Sequence, residues 1–576
     1  MGSFDLSSNS SFAIKCMDIS GNHFHGKLQQ HIGSIIPTIA VFNLSANAFD
    51  GGIPFSMGSM LSLSVLDLSS NKFFGEIPDN LLANSSKLGA LVLSNNRLSG
   101  QVSKIKSNQT SLMSLHLSGN QFTGTLSSWI SHYPRLKLLD ISDNYISGEI
   151  PNFIGNLSSR ILNMAVNKLE GTIPCELSTS KLSLLDISYN NLLGNLPSCL
   201  KGSSELKHLN LEGNGFIGTI PETLFNSSNM MMLNIGSNSF SGEIPTSIGN
   251  LSYLRVLLLR GNNLRGLLPK ELCQLNELGI LDLSHNSFSG PMPSCFSCIS
   301  FGKVTKDVSD FAQYVGGQYK SFEMSYNFQS KLTNKEFVIE DSYSFFIEQA
   351  QAALVTKAIS NEYNGWHLEL MSGLDLSCNQ LTGELPVELG NLSSILSLNL
   401  SHNQLTGSIP RAWENFGQIE SLDLSHNKLS GEIPSELISL HFLEVFSVAY
   451  NNLSGRLLDM IGQFATFDNK SYEGNLFLCG PPLDTSCSTD VPKLSPSFDA
   501  SNGKWHGIID PVFFLASFTA TYLIFLLGFV SVLYVNPYWR QRLFLIIQNF
   551  IDDCHFMVFY TIPKLFTKVV KKLYFA

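Results

Sequence analysis

The chain has 576 residues, a net charge of −10 and only 14% charged residues. Because a soluble enzyme of this length carries roughly 25% charged residues, the composition argues against an ordinary cytosolic multidomain enzyme. The acidic balance also argues against a nucleic-acid-binding protein, which would carry a basic stripe.

Residues 1–21 precede the first complete repeat of the chain. They contain neither the basic segment nor the apolar segment of a secretory signal peptide. The stretch 4–9 already matches the repeat described next, so the chain begins inside a repeating structure. We therefore expect either a shortened product or an incomplete gene model of a longer secreted ectodomain.

A leucine and asparagine repeat fills residues 22–299 and 368–474. Its core is L-x-L-x-x-N-x-L-x-G-x-I-P, and outside one gap its asparagines recur every 23 to 25 residues. The 16 anchoring asparagines are Asn22, Asn47, Asn71, Asn96, Asn120, Asn144, Asn167, Asn190, Asn214, Asn238, Asn262, Asn286, Asn379, Asn403, Asn427 and Asn451. So regular a period predicts a solenoid, in which each coil adds one strand to a parallel sheet.

The repeat around Asn71 explains how one coil is built. Leu66 and Leu68 alternate with polar residues, as in a strand with one buried face. The amide of Asn71 can bond the backbone of adjacent coils, Gly75 allows a turn, and Pro78 fixes φ after it. We expect an asparagine ladder that runs about 70 Å along the stack.

The G-x-I-P that follows the asparagine resembles the plant-specific leucine-rich repeat, over residues 22 to about 474. This resemblance implies an α/β solenoid whose parallel β-sheet forms a curved superhelix.

An insertion at 300–367 interrupts the repeats. It lacks leucine periodicity and is rich in aromatic residues, unlike a disordered linker, so we expect a small ordered island packed on the solenoid. Its end, from Val355 to Ser377, resembles the island of plant receptor-like proteins. The resemblance implies co-receptor contact at Lys357 and Tyr363, although Ile359 replaces the arginine common in that family.

The segment 475–509 follows the last repeat and contains Cys479 and Cys487 in a Gly-Pro turn. Because the end of a solenoid needs a cap, we expect these cysteines to form a disulfide in an oxidising compartment; two free thiols are the alternative. Cys175 and Cys199 lie one repeat apart and could pair, but we interpret each as a small buried hydrophobe.

Residues 510–535 are predicted to cross a membrane. Pro511–Val535 is a run of 25 uncharged, mostly apolar residues, enough to span a bilayer core of roughly 30 Å. The tail 536–576 contains six Lys or Arg and two Asp residues. This asymmetry predicts a single-pass type I protein of the plasma membrane, with extracellular repeats and a cytoplasmic tail.

Eleven N-x-[ST] triplets agree with that orientation, since none follows the membrane segment. They start at Asn9, Asn43, Asn84, Asn108, Asn156, Asn226, Asn250, Asn391, Asn399, Asn452 and Asn469. An Asn- and Ser-rich repeat also generates such triplets by composition, so the triplets are only supporting evidence for glycosylation and for this orientation.

No catalytic constellation stands out in the sequence. Triplets such as Ser284-His285-Asn286 recur at repeat spacing, which indicates lattice positions rather than catalytic triads. There is no P-loop, zinc-ligand spacing or kinase motif, and the 41-residue tail is too short for a kinase domain. We expect a protein that is not an enzyme, holds no cofactor or metal, and signals through a partner.

The concave sheet face is the expected ligand site, since its outward residues vary. Most repeats keep Asp or Asn four residues before the anchor, which we interpret as structural. The departures predict a ligand patch with an apolar centre and an Arg-Glu pair, and neutral drift is the alternative. Its candidate residues are His208, Glu212, Met232, Asn234, Leu258 and Arg260.

The predicted membrane helix carries Ala516 and Ala520, four residues apart. Small residues at this spacing let two helices approach closely. In plant receptor-like proteins a related glycine face pairs with an adaptor receptor kinase, so we hypothesise the same kind of contact.

As a whole, the chain resembles a plant leucine-rich repeat receptor-like protein without a kinase. This implies a cell-surface sensor, typically in defence and sometimes in development, that binds an extracellular peptide, protein or glycan. Co-receptor kinases would be recruited through the island and the last four repeats. The alternatives are a leucine-rich-repeat inhibitor of a secreted enzyme, against which residues 511–535 argue, and a non-functional truncated receptor remnant.

Overall fold

The computed structural model describes residues 13–102, 111–126, 130–131, 133–179, 181–199, 205–301, 351–356, 359–364, 371–458 and 461–487. Within these residues the repeats form the predicted solenoid.

A 16-stranded parallel sheet runs along the solenoid, and we call it the first sheet. Each strand has three residues, of which the middle one points into the core and the first and third form the open face. The strands are Cys16–Asp18, Val41–Asn43, Val65–Asp67, Ala90–Val92, Ser114–His116, Leu138–Asp140, Ile161–Asn163, Leu184–Asp186, His208–Asn210, Met232–Asn234, Val256–Leu258, Ile280–Asp282, Gly373–Asp375, Ser397–Asn399, Ser421–Asp423 and Val445–Ser447.

A second parallel sheet, of 13 strands, follows the asparagine positions, and the sequence did not predict it. Its strands are His25–Lys27, Ala48–Gly51, Lys72–Gly75, Arg97–Gln101, Gln121–Thr125, Tyr145–Glu149, Lys168–Gly171, Asn191–Asn195, Gly215–Thr219, Ser239–Gly242, Asn263–Leu267, Ser287–Gly290 and Gln380–Leu381. Many of these strands pass through a glycine with positive φ, such as Gly75 at 86°. A three-stranded sheet of Ser430–Gly431, Asn452–Arg456 and Phe477–Cys479 lies at the C-terminal end.

Short helical turns close the coils, usually directly after a proline. Two are α-helical, Ile32–Ile35 and Asp79–Asn84. The 3-10 turns are Phe55–Ser59, Asn152–Asn156, Cys175–Thr179, Glu222–Asn226, Thr246–Asn250, Lys270–Gln274, Ser294–Cys298, Val387–Asn391, Arg411–Asn415, Ser435–Ser439, Gly462–Thr466 and Asn469–Ser471.

The asparagine ladder is confirmed. The Asn71 amide donates to the carbonyl oxygens of Leu44, Leu68 and Ser69 at 2.9, 3.2 and 3.0 Å, and its oxygen accepts from the Phe49 N–H at 3.0 Å. One buried side chain thus satisfies backbone groups that the turn would otherwise leave unpaired.

The ladder also continues one coil beyond the predicted anchors. The Asn475 amide donates to Val448, and its oxygen accepts from the Leu453 N–H. The cap is therefore built on a seventeenth rung.

The core lies between the two sheets and the helical turns. Leu66 and Leu68 are fully buried, and Phe49 stacks between Phe24 and Phe73 with ring centroids 6.2 Å apart on either side. Each leucine is covered by its neighbours in adjacent coils, as the repeat period predicts.

The first sheet continues without a break from the coil before the insertion to the coil after it. Strand Ile280–Asp282 pairs directly with Gly373–Asp375, and the Asn379 amide donates to Leu283 of the preceding coil, as the Asn71 amide donates to Leu44. Inside the predicted island, Gln351–Thr356 and Ile359–Asn364 form an antiparallel hairpin. The predicted packing of the island on the solenoid stays a prediction.

No helix among the described residues is long and apolar enough to cross a bilayer. The predicted membrane segment 510–535 and the tail 536–576 lie outside the described residues, as do Ala516 and Ala520.

Candidate ligand-binding surface

Four of the six predicted ligand residues lie on three adjacent strands of the first sheet. His208 pairs with Met232, and Asn234 pairs with Leu258. The remaining two, Glu212 and Arg260, follow their strands by two residues. The fold therefore brings the predicted patch together on one face.

The apolar centre of the patch is larger than the sequence predicted. Met232 and Leu258, only 4% and 3% exposed, pack with Val256 and Ile280 in a cluster on the open face. Met371 packs against the same cluster from the residues just after the insertion. Val256, Ile280 and Met371 were missed because each looks like an ordinary repeat residue, and only the strand register reveals their contact.

The predicted Arg-Glu pair is wrong. The Asn234 amide donates to the Glu212 carboxylate at 2.8 Å, so Glu212 is bonded to the next coil. Arg260 forms no ion pair with Glu212 in the described part of the chain, and its charge acts on Asp282 and Asp375. The positive charge of Arg260 thus acts on the two carboxylates at the C-terminal side of the patch.

Two buried carboxylates face each other where the sheet crosses the insertion. Asp282 pairs with Asp375 in the strand register. Burial, reinforced by the charge of Asp375, raises the pKa of Asp282 to about 7, while two hydrogen bonds from Ser284 and the charge of Arg260 oppose the shift. Burial also raises the pKa of Asp375. This pair can therefore hold a proton at near-neutral pH.

The histidine of the patch is neutral at neutral pH. Burial, and next the charge of Lys207, lowers the pKa of His208 to about 4. A neutral imidazole between Leu184 and Met232 continues the apolar row of the open face without adding charge.

The structure also assembles a Ser-His-Asp cluster that the sequence analysis missed. Ser114 Oγ lies 2.7 Å from His116 Nε2, and the carboxylate of Asp140 acts on the imidazole from the next strand. The nearby backbone N–H groups of Ser114 and Leu117 already donate to the neighbouring coils. Neither of these two N–H groups is therefore available to stabilise a developing oxyanion, as acyl transfer would require.

The aspartates before the anchors are structural, as predicted. Each accepts a hydrogen bond from the backbone N–H two residues later, and several also accept from a serine hydroxyl. The bonded aspartates are Asp67, Asp140, Asp186, Asp282, Asp375 and Asp423.

Three disulfides occur among the described residues. Cys479 and Cys487 are bonded, with Cα atoms 5.1 Å apart. Cys175 and Cys199 are also bonded, so their interpretation as small buried hydrophobes is wrong; Cys175 is in fact exposed. The third bridge, Cys273 to Cys295, was not predicted. The signal for both missed bridges was a spacing of about one coil, which places two turn cysteines side by side.

The predicted glycosylation sites separate into two groups. Seven are exposed: Asn84, Asn156, Asn226, Asn250, Asn391, Asn452 and Asn469. The first five each end a helical turn. Asn43 is buried and donates to Asp18, and Asn399 donates to Asp375, so both amides are already bonded within the open face. Asn9 and Asn108 lie outside the described residues.

The proposed co-receptor contacts fall largely outside the described residues. Lys357 is not described, and Tyr363 is placed only as a backbone position that pairs with Ala352 in the hairpin. No group of three or more His, Cys, Asp or Glu residues suited to a metal is present in the described ranges.

Comparisons with known proteins agree with the repeat. The Leucine Rich Repeat family matches residues 62–83, 111–133, 135–157, 181–203, 205–227, 229–251, 253–275 and 277–299. A second leucine-rich repeat family matches residues 369–429.

Similar proteins include plant receptors. Cuscuta receptor 1 of Solanum lycopersicum is 50% identical over 249 residues, which cover 43% of this chain and 22% of that protein. Receptor-like protein 45 of Arabidopsis thaliana is 46% identical over 263 residues, which cover 45% of this chain and 27% of that protein. The matched part of the chain thus spans about a quarter of the length of these curated relatives.

Solved structures share the solenoid. The crystal structure of PEPR1 with AtPEP1 superposes with a TM-score of 0.57 at 27% identity, covering 81% of this chain and 63% of that one. The ectodomain of the Arabidopsis thaliana membrane receptor kinase GASSHO1/SCHENGEN3, in complex with CASPARIAN STRIP INTEGRITY FACTOR 2, gives a TM-score of 0.53 at 27% identity, covering 82% and 54%.

Proposed function

We propose that the chain, a plant leucine-rich repeat receptor-like protein, is a cell-surface receptor for an extracellular peptide or protein. The observation that carries the proposal is the patch on three adjacent strands of the open face. Its apolar cluster around Met232 and Leu258 is bordered by Glu212 on one side and Arg260 on the other. A polar and charged border around an apolar centre is the arrangement typical of protein interfaces.

The open face also differs from the rest of the coil in its glycosylation sites. Five of the seven exposed sites end helical turns, whereas the two sites on the open face are bonded to aspartates. Sugars on the turns would leave the open face accessible. We therefore propose that the ligand lies on the open face and that the turns carry the glycans.

We propose that the protein is a single-pass type I glycoprotein of the plasma membrane, with residues 510–535 as its membrane segment. The charge-free run of 25 residues supports this assignment. Partner receptor kinases would carry the signal into the cell, with Lys357 and Tyr363 as proposed co-receptor contacts and Ala516 and Ala520 as a proposed helix contact. The proposed biological role is defence.

The test uses the tagged full-length chain expressed in leaf tissue. Expected results are recovery in an alkali-resistant membrane fraction, a mobility shift with glycosidase, and a receptor kinase that co-purifies more strongly after treatment with a microbial culture filtrate. Recovery in the aqueous fraction without a glycosidase shift would refute the membrane receptor.

A charge variant links the response to the patch. Arg260→Gln should weaken the filtrate-induced gain of kinase. Arg265→Gln is the matched control, since Arg265 is exposed on the second sheet strand Asn263–Leu267. Equal responses from the two variants would remove the patch from the proposal.

A further inference from the structure

Three cysteines occupy two consecutive helical turns. Cys273 lies in the turn Lys270–Gln274, and Cys295 and Cys298 are the second and the last residue of the next turn, Ser294–Cys298. Cys273 and Cys295 form a disulfide with Cα atoms 5.8 Å apart, whereas Cys298 is a free and exposed thiol. A disulfide and a thiol therefore share one five-residue turn.

The geometry of a 3-10 turn brings Cys295 and Cys298 onto the same side. Residues three apart eclipse each other in this conformation, and a rise of about 2 Å per residue puts their Cα atoms about 6 Å apart. That separation falls within the range of disulfides, whose Cα atoms are about 4.4 to 6.8 Å apart. Cys298 thus has a second cysteine within bonding reach inside its own turn.

We propose that Cys298 is a thiol–disulfide exchange site. The Cys298 thiol gives its proton to water, and the thiolate attacks the sulfur of Cys295. A Cys295–Cys298 bond forms while the Cys273–Cys295 bond breaks, and Cys273 leaves as a thiolate that takes a proton from water. One disulfide and one thiol are present before and after, so the step requires neither an oxidant nor a reductant.

The exchange changes which parts of the chain are covalently joined. Before it, the bridge ties the turn Ser294–Cys298 to the preceding coil; after it, the bridge lies within the turn. The turn is then held by its buried Phe296, by the buried Ile299 directly after it, and by the hydrogen bond from the Phe301 N–H to Leu278. Because the turn ends directly before the insertion, the exchange acts on the coil that leads into it.

The chain contains its own control. Cys175 and Cys199 form the same kind of bridge across one coil, with Cα atoms 5.6 Å apart. No other cysteine occurs between residues 17 and 272, so this bridge has no thiol nearby in sequence. The inference is independent of the proposed receptor function, whose test does not report on cysteine pairing.

The experiment follows the free thiol in the purified full-length chain. The protein is incubated at mildly alkaline pH with a trace of reduced glutathione, quenched in acid, alkylated and mapped by mass spectrometry. We expect alkylation to appear at Cys273 at the expense of Cys298, at least about tenfold above that at Cys175. The Cys295–Cys298 peptide should appear in parallel.

The variant Cys298→Ser should abolish labelling of Cys273 while both bridges persist. The proposal is wrong if the unsubstituted chain is labelled at Cys298 alone throughout, a result that needs no variant to fold. It is also wrong if Cys273 is labelled equally in Cys298→Ser, because glutathione alone would then open the bridge.

Discussion

The side-chain amide of Asn234 donates a 2.8 Å hydrogen bond to the carboxylate of Glu212, two residues that come from neighbouring coils. The Asn234 oxygen also accepts from the Gly236 N–H at 3.0 Å. Asn234 therefore holds an acidic side chain of the open face in place while it supports its own turn.

Replacing Asn234 by Asp should loosen this part of the face. Asp can still accept from Gly236, but it places a second carboxylate against Glu212 in a buried site, at a cost of about 1–3 kcal/mol. Hydrogen–deuterium exchange of the backbone around 232–236 should speed up accordingly. Adding Glu212→Gln should reverse most of the loss, since the amide of Gln can donate to the introduced carboxylate; if the double variant is no better than the single one, the pair is not coupled.

Asp282→Asn should stabilise the protein at alkaline pH. The raised pKa of about 7 means that between about pH 4 and 7 the folded chain binds a proton that the unfolded chain lacks, so this group's contribution to stability falls as pH rises. Asn removes that penalty and can still accept from Ser284, as Asn399 accepts from Ser401. We expect a gain of about 1–3 kcal/mol at pH 8 and little change at pH 4, measured by chemical denaturation.

The half-buried Asp423 provides the control for that measurement, because it occupies the same strand position and also accepts from the N–H two residues later. Asp423→Asn should change stability much less. Equal gains at pH 8 from both variants would contradict a special role for burial at Asp282.

Asn262→Ala should cost about 2–4 kcal/mol, because it leaves buried backbone groups unpaired. Its amide donates to Ile235 and Leu259, and its oxygen accepts from the Phe240 N–H. The adjacent Asn263 is exposed, and Asn263→Ala should be nearly neutral. Comparable thermal destabilisation by both variants would mean that the lost stability does not come from the hydrogen bonds of the asparagine ladder.

The structure predicts which N-x-[ST] triplets carry glycans. Asn226→Gln should remove one glycan from protein made in plant cells, because Asn226 is exposed at the end of its turn. Asn43→Gln should leave the glycan pattern unchanged, because Asn43 is buried and bonded to Asp18. Glycopeptide mapping decides both cases; a glycan at Asn43 would show that modification precedes formation of that bond.

Regular features of this protein could be predicted from sequence, and exceptions could not. The spacing of the asparagines was sufficient for the first sheet, because each rung depends on one residue type at one period. Asn475 was missed because its two leucine positions hold Lys470 and Tyr472, although its distance from Asn451 fits the period. The second sheet was missed because most of its strands bury a single residue, which leaves almost no alternation to detect.

The contacts within the patch depend on the directions in which the side chains point, and the repeat pattern of the sequence does not contain this information. Glu212 and Arg260 have opposite charges and lie two coils apart, yet Asn234 bonds Glu212, and the charge of Arg260 acts on Asp282. Likewise, lateral distance between turns, rather than hydrophobicity, decides that Cys175 bonds Cys199.

The insertion is attached at two adjacent residues of a single coil. The Phe301 N–H donates to the carbonyl oxygen of Leu278, and the Gly373 N–H donates to that of Gly279. Since both attachment points are fixed by the same coil and the sheet pairs normally beneath them, the length and content of this segment are uncoupled from the register of the repeats. Natural variation or deliberate grafting at this junction can therefore change the inserted segment while the strand pairing of the coils on either side is kept.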